Sequence, residues 1–368
     1  MEATSTNTNN NRLLSLDFYR GLTMFLLIAE FSHLFNTLVS EPFDGTFVQA
    51  IFHQFHHVKW EGLHFWDLIQ PFFMFIVGVA MPLSFANRMA KGDTYQDLLK
   101  HAIKRSLLLL LLGWGLYCIG PGKIVFRFQN VLAQLSFTYM LAFLIMRKSV
   151  TFQLLVSIAL LLITEGLYRF FPVDGFDKAF VAGENFGAWL NILISGKEDG
   201  GHWAIFNAVP TAAHTIWGVL AGQLLMSEKP QQEKLKLLAI AGAVGLVIGY
   251  GLSPFTPIIK RISTSTFVFA GGGWALLALA LCYWLIDLKN FRWGVQAFSI
   301  VGLNPLFIYL FAHVGGNHLI QEICAPFTNA LFAWTGEVAS EIVLNATELF
   351  FLWYLCHWLY KRSVFIRI

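Results

Sequence analysis

The chain has 368 residues, of which 56% are hydrophobic and only 13% charged, against roughly 25% charged in soluble domains. That deficit excludes an ordinary soluble enzyme and points to a polytopic membrane protein, whose lipid-facing and interfacial positions would use the 36 Phe and 12 Trp. A net charge of +3 without a long basic run argues against nucleic acid as a partner, and four scattered cysteines (Cys118, Cys282, Cys324, Cys356) form neither a disulfide framework nor a metal-ligand pattern.

Residues 1–12 are polar and predict a disordered cytoplasmic tail, with 13–368 as a single polytopic membrane domain. The first apolar stretch carries Asp17 and Arg20 and is about twice the length of a signal-peptide core, so it reads as an uncleaved first span. The expected fold class is all-α, a polytopic integral membrane helix bundle. A span needs ~20 apolar residues, and about ten stretches qualify, near 14–38, 64–87, 103–120, 130–147, 151–171, 207–226, 235–252, 266–286, 295–314 and 342–360. An eleventh, 319–335, contains Glu322 and Pro326 and is expected to be re-entrant or interfacial. The connector 172–206, rich in Gly, Asp and Asn, reads as a loop. Gly245 and Gly249 make a small-residue face for helix packing.

Lys and Arg set the orientation. With ten spans and the N-terminus inside, 16 of the 25 basic residues fall on the cytoplasmic side, including Arg12, Arg88, Lys91, Lys100, Lys104, Arg105 and Arg367. Seven fall outside, among them Lys59, Lys260 and Arg261. Both termini are therefore expected in the cytoplasm, and His56, His57 and Glu61 on the far side, at the mouth of the second span.

Ionisable groups inside spans cost roughly 2.5–3.5 kcal/mol each on insertion scales, so each asks for a reason. Glu165 and Arg169 stand i,i+4 and can neutralise each other. Asp17 and Arg20 stand i,i+3 near the inner face, as an ion pair or as an arginine kept there to meet an anion. Glu30 and His33 lie near the outer end and could share a polar cavity with His57.

Four histidines, His53, His56, His57 and His64, fall within twelve residues. His53 and His57 have the i,i+4 spacing of a helical zinc pair, but no HExxH is present and no acid stands at a ligand spacing. A polar cluster without chemistry is a second reading. A general base is the third, since neutral imidazole accepts a proton near neutral pH. Asp67 could orient His57 only across a non-helical break, because ten residues of continuous helix would span ~15 Å; Gly62 makes a break around Trp60–Gly62 plausible.

Three blocks then carry a resemblance: SLDFYRG (15–21), HVKWEG (57–62) and DLIQPFFMFIVGVAMPLS (67–84). With VLAQLSFTYML (131–141), TIWGVLAG (215–222), GLNPLFIY (302–309) and the ending WYLCHWLYKRSVFIRI, they resemble, in order and over most of the chain, the bacterial branch of the heparan-α-glucosaminide N-acetyltransferase family. The first block is shared with another membrane acyltransferase family; the HxxWxG and DLIxP blocks are more specific. Two positions depart from the family pattern: Phe31 stands where many members have Asn, and Ala133 and Gln134 where many have Gln and Arg.

The resemblance implies an acetyl-CoA-dependent transferase in a bacterial inner membrane, moving acetyl from the cytoplasm to the amine of a glucosamine-type sugar on the far side. It places the active-site histidine at His57, as base or acetyl carrier; the residue spacing adds Asp67 as the expected orienter or cavity acid. Glu30, Trp60 and Asn304 are the expected acceptor contacts, and Arg20, Arg88 and Arg105 the expected contacts of the CoA phosphates. Acetyl-CoA is the expected co-substrate, with no metal. The expected partners are an amino-sugar or glycan acceptor and the bilayer, and a homodimer is allowed. The rival class is a secondary transporter for a sugar or anion using the buried charges as a proton relay; inverted repeats would favour it, and none is visible.

Overall fold

A computed structural model describes residues 13–366. The tail expected over 1–12 lies outside them, as do Arg12 and Arg367 of the charge tally. The described residues form helices and connecting loops without a strand. In chain order these are α1 (Leu14–Phe31), the short α2 (Leu34–Thr37) and α3 (Phe47–Phe52), then α4 (Ile69–Ala90), led in by a 3-10 turn over Phe65–Leu68. There follow α5 (Tyr95–Ile119), α6 (Val131–Ile145), α7 (Val150–Arg169), α8 (Phe186–Ser195), α9 (Ala208–Met226) and α10 (Gln231–Gly251). The chain ends with α11 (Ser265–Cys282), α12 (Val295–Val301), α13 (Pro305–Phe311), α14 (Asn317–Phe332) and α15 (Glu337–Lys361).

Local chemistry sets where these helices begin. The side chains of Thr94, Asn130, Ser149, Asn185 and Thr264 each accept the backbone N–H three residues on, satisfying a donor that the first helical turn leaves unpaired. At Thr94 the Asp97 carboxylate reaches back to complete a capping box.

Six of these helices are long and apolar enough to cross a membrane: Phe65–Ala90, Tyr95–Ile119, Val150–Arg169, Gln231–Gly251, Ser265–Leu288 and Glu337–Lys361. The expected count of about ten is not reached on that measure. Helices do stand at the other expected places, but α1 carries Asp17, Arg20 and Glu30, α6 has only 15 residues, and α9 includes Pro210, His214 and Gln223. The stretch expected as one span over 295–314 breaks after Val301. Val295–Val301 and Pro305–Thr335 meet at 65°, a broken span or a re-entrant loop, and counting them as one raises the number to seven.

Burial separates inner from outer helices. The apolar windows of α4 and α11 are 61% and 56% buried within the protein, those of α5, α7 and α10 only 17–22%. The outer helices expose Leu107, Leu111, Leu155, Leu162 and Val247, which suits contact with lipid chains. At the centre, α4 and α9 approach backbone to backbone. A Cβ on Gly78 would sit 2.1 Å from the Thr215 carbonyl oxygen, and one on Gly218 2.1 Å from that of Phe75. Gly245 and Gly249 of α10 pack likewise on Gly273 and Ala270 of α11. The intrahelical pairs read from the sequence also form, Arg20 with Asp17 at 2.7 Å and Arg169 with Glu165 at 2.6 Å.

The bundle has two distinct ends. At one, Thr37, just past α1, donates to Glu341 and accepts from Asn345 near the start of α15, both at 2.9 Å. About 37 Å away along the 25 residues of α15, Asn304 holds the chain after that helix. It donates to the Val364 carbonyl at 2.9 Å and accepts from the Ile366 N–H at 2.8 Å.

Candidate active site

The segment between α3 and α4 is short of apolar residues and breaks out of helix. His53–Phe55 closes a 3-10 turn, and the chain is non-helical from His56 to His64. Gly62 makes the reversal at φ +124°, a conformation that side-chain-bearing residues avoid, and its N–H donates to the Ile258 carbonyl at 2.8 Å. The turn folds His57 back over the head of α4. His57 Nδ1 lies 2.8 Å from Asp67 Oδ1. The other oxygen, Oδ2, accepts the backbone N–H of His64 at 3.0 Å and of Val58 at 3.4 Å. Asp67 is therefore clamped on both oxygens and is almost wholly buried, while the His57 side chain is 34% exposed.

A third group completes the site. Lys260, from the loop between α10 and α11, is buried, with Nζ 3.6 Å from Asp67 Oδ1 and 3.2 Å from His57 Nδ1. An ionised carboxylate only accepts hydrogen bonds, so the 2.8 Å contact requires the proton on Nδ1. That leaves Nε2 with the lone pair. Lys260 is then held by the carboxylate, not by the ring nitrogen. Burial and the Lys260 charge lower the His57 pKa below its usual value, against the opposing pull of Asp67. Burial pushes Lys260 down to about 8, opposed by Asp67 and Glu30.

Trp203 walls the site. Its ring lies 5.7 Å from that of His57, and Lys260 Nζ and the Arg261 guanidinium each lie 5.5 Å from its centroid. Glu30 accepts from the Trp66 indole N–H at 3.0 Å and interacts electrostatically with Lys260. Trp60 donates to the Phe180 carbonyl at 2.7 Å and packs with the cluster of Tyr168 and Phe186, so it ties the turn to the connector after α7, which was expected to be all loop but carries α8.

One sequence-based expectation about the site residues changes here. Asn304 is not near His57. Both ends of its amide are engaged by the segment after α15, at the opposite end of the bundle, which corrects its assignment to the acceptor site. The zinc pair of His53 and His57 has lost its helical basis, because the helix stops before His57. His53 instead packs its ring 5.0 Å from His64. Among the described residues no group of three or more His, Cys, Asp or Glu could hold a metal ion.

At the Asn304 end a cavity of about 530 Å³ opens along α4. Arg20, Arg88 and Arg105 all line it, joined by His101, with Ile76, Val77, Leu109, Leu135, Tyr139 and Tyr309 as its apolar and aromatic walls. Arg88 pairs with Asp93 at 2.5 Å, and Arg105 lies 4.7 Å from the Tyr139 ring centroid. Along α4 the lining starts at Phe73, six residues or about 9 Å of helix beyond Asp67. Between them Gln70 donates to Gln134, which itself donates to the Gln129 carbonyl at 3.1 Å.

Sequence reading missed Lys260, Trp203 and His101. Lys260 did leave a signal, as a cation in a loop on the side where Lys and Arg are scarce.

Fold and site together define a multi-pass helical membrane protein with an imidazole–carboxylate–ammonium cluster at one end and an arginine-lined cavity at the other. Comparison with known proteins narrows this. Residues 12–186 match a domain family of unknown function, DUF5009. The chain is similar to the heparan-alpha-glucosaminide N-acetyltransferase of Mus musculus, 24% identical over 428 aligned residues, with 97% of the chain and 61% of that protein covered. To the Homo sapiens protein of the same name it is 22% identical, covering 97% of the chain and 60% of the relative. The chain thus spans about 60% of the length of these curated relatives. The resemblance read from the motifs extends over nearly the whole chain.

Proposed function

We propose that the protein is a transmembrane acetyltransferase, carrying acetyl from cytoplasmic acetyl-CoA to the amine of a glucosamine-type sugar on the far side of the membrane. The observation that carries this reading is the arrangement along one helix. A base with an oriented tautomer stands at the head of α4, and a cavity with three arginines runs along its length.

In this reading Arg20, Arg88 and Arg105, with His101, meet the CoA phosphates, and the apolar walls take the pantetheine arm. Asp67 holds His57 with Nε2 unprotonated. Nε2 takes the proton from the acceptor amine as that nitrogen attacks the thioester carbonyl; the C–S bond breaks, and the CoA sulfur leaves as thiolate and is then protonated. His57 as a transient acetyl carrier uses the same lone pair. Glu30, Trp60 and Trp203 line the acceptor side. The reading takes α1, α6, α9 and the bent pair as membrane-crossing too. That gives about ten crossings and both termini in the cytoplasm of a bacterial inner membrane. The relatives' printed name supports the transferase class over a transporter.

The test is CoA release by the purified protein with acetyl-CoA and a panel of amino sugars, with the acetylated product identified by mass. Acceptor-dependent release supports the reading. Sugar or anion uptake into proteoliposomes without any CoA release would replace it by the transporter.

A further inference from the structure

Charges from two elements act on His57: Asp67 from the head of α4, and Lys260 and Arg261 from the loop before α11; Glu30 of α1 acts on Lys260. His64 is turned away, its Nδ1 2.9 Å from the His56 carbonyl oxygen. Lys59 and Glu61, on the same turn as His57, are exposed. Of these groups, Lys260 stands closest to the proton shared by His57 and Asp67.

We propose that Lys260 is a positioning residue: its ammonium shares the Asp67 carboxylate with His57, so that Asp67 orients the imidazole through Nδ1 without drawing a second proton onto Nε2. A buried Asp–His pair alone tends to become an ion pair, because the carboxylate stabilises imidazolium. An imidazolium has no lone pair and is no base. A cation at 3.6 Å from Asp67 Oδ1 offsets that charge, and its 3.2 Å approach to Nδ1 directly disfavours a second positive charge on the ring. The placement is built in. Lys260 is 6% exposed and lies against Trp203. Two residues earlier, the Ile258 carbonyl accepts from Gly62 in the turn that carries His57.

This inference rests on His57 being the base, but its test does not need the reaction. Neutral imidazole reacts with diethyl pyrocarbonate and imidazolium does not, so the rate of carbethoxylation at His57, followed by peptide mass spectrometry on the intact purified chain, reports its protonation. In the unmodified protein the midpoint should lie below pH 6.5. In Lys260→Met it should rise by about one pH unit, and in Lys260→Arg it should stay with the parent. The acid limb of kcat/KM should move in parallel. Lys260→Gln serves if the Met variant is not monodisperse in detergent. An unchanged midpoint in a folded neutral variant would overturn the proposal. So would failure of both neutral variants to fold while Lys260→Arg folds, since that outcome assigns Lys260 to stability alone. If no amino sugar supports CoA release but the midpoint shifts, the acetyltransferase reading falls and the role of Lys260 stands.

Discussion

His57 and Asp67 are ten residues apart in the sequence and in hydrogen-bond contact at 2.8 Å, where a continuous helix would hold them ~15 Å apart. The non-helical turn at Gly62 closes that distance, and it fixes the imidazole so that one nitrogen is engaged and the other is available.

Replacing His57 by Ala should lower kcat about 10²-fold or more while leaving acetyl-CoA affinity near the parent value, measured by CoA release and by equilibrium binding. His56 is used differently: its ring contacts the Asn36 side chain at 2.9 Å and the Phe52 carbonyl at 3.2 Å. His56→Ala should therefore cost stability more than rate. Equal kcat losses at the two positions would move the chemistry away from His57.

The pH dependence follows from the site. In the proposed role His57 works neutral, and its pKa is lowered, so activity should be present above that pKa and lost as pH falls through it. The acid limb of kcat/KM should lie below pH 6.5, the ordinary imidazole value. Asp67→Asn lets an amide N–H donate to Nδ1 and favours the tautomer with the proton on Nε2. It should reduce kcat about 10²-fold across the whole pH range, and raising the pH should not restore it.

Arg105→Ala and Arg88→Ala should each raise the acetyl-CoA KM about tenfold or more, the weight of one lost bond to a charged group, with the acceptor KM little changed. Arg20→Ala should act in the same direction but less cleanly, since Arg20 also holds Asp17 at 2.7 Å. Steady-state kinetics with each substrate varied would separate these. Equal shifts in both KM values would remove the three arginines from the donor site.

Orientation has its own measurement. Gln54 is exposed beside the histidines, so Gln54→Cys should react with a membrane-impermeant thiol reagent applied to intact cells. Labelling from the cytoplasmic side alone would reverse the proposed direction of transfer.

The contact of α4 with α9 predicts a stability effect far from the chemistry. Gly218→Val places side-chain atoms where the Phe75 carbonyl already sits, an overpacking worth about 1–3 kcal/mol or more. A lowered melting temperature in detergent should report it, with Gly115→Val, at a site with open space, as the control.

The membrane class, the places of the long helices and the candidacy of His57 were legible in the amino-acid sequence, whereas α2, α3, α8 and the break after Val301 were not. The legible features depend on composition, on apolar length and on short motifs, which are local quantities. The sequence also brought Arg88 and Arg105 forward together, because basic residues gather on one side of a membrane, and Arg20 as a charge inside the first span. Only the tertiary structure decided which charges meet. Lys260 reaches His57 from 203 positions away, Trp203 arrives from a loop with no periodicity, and Asn304, which looked like a site residue, turned out to hold the chain after α15. A helix projects its side chains at a known period, so its faces are legible. A turn such as 56–64 has no period, and where it aims an imidazole is settled by the Ile258 carbonyl, the buried Asp67 and the loop that brings Lys260 beside them.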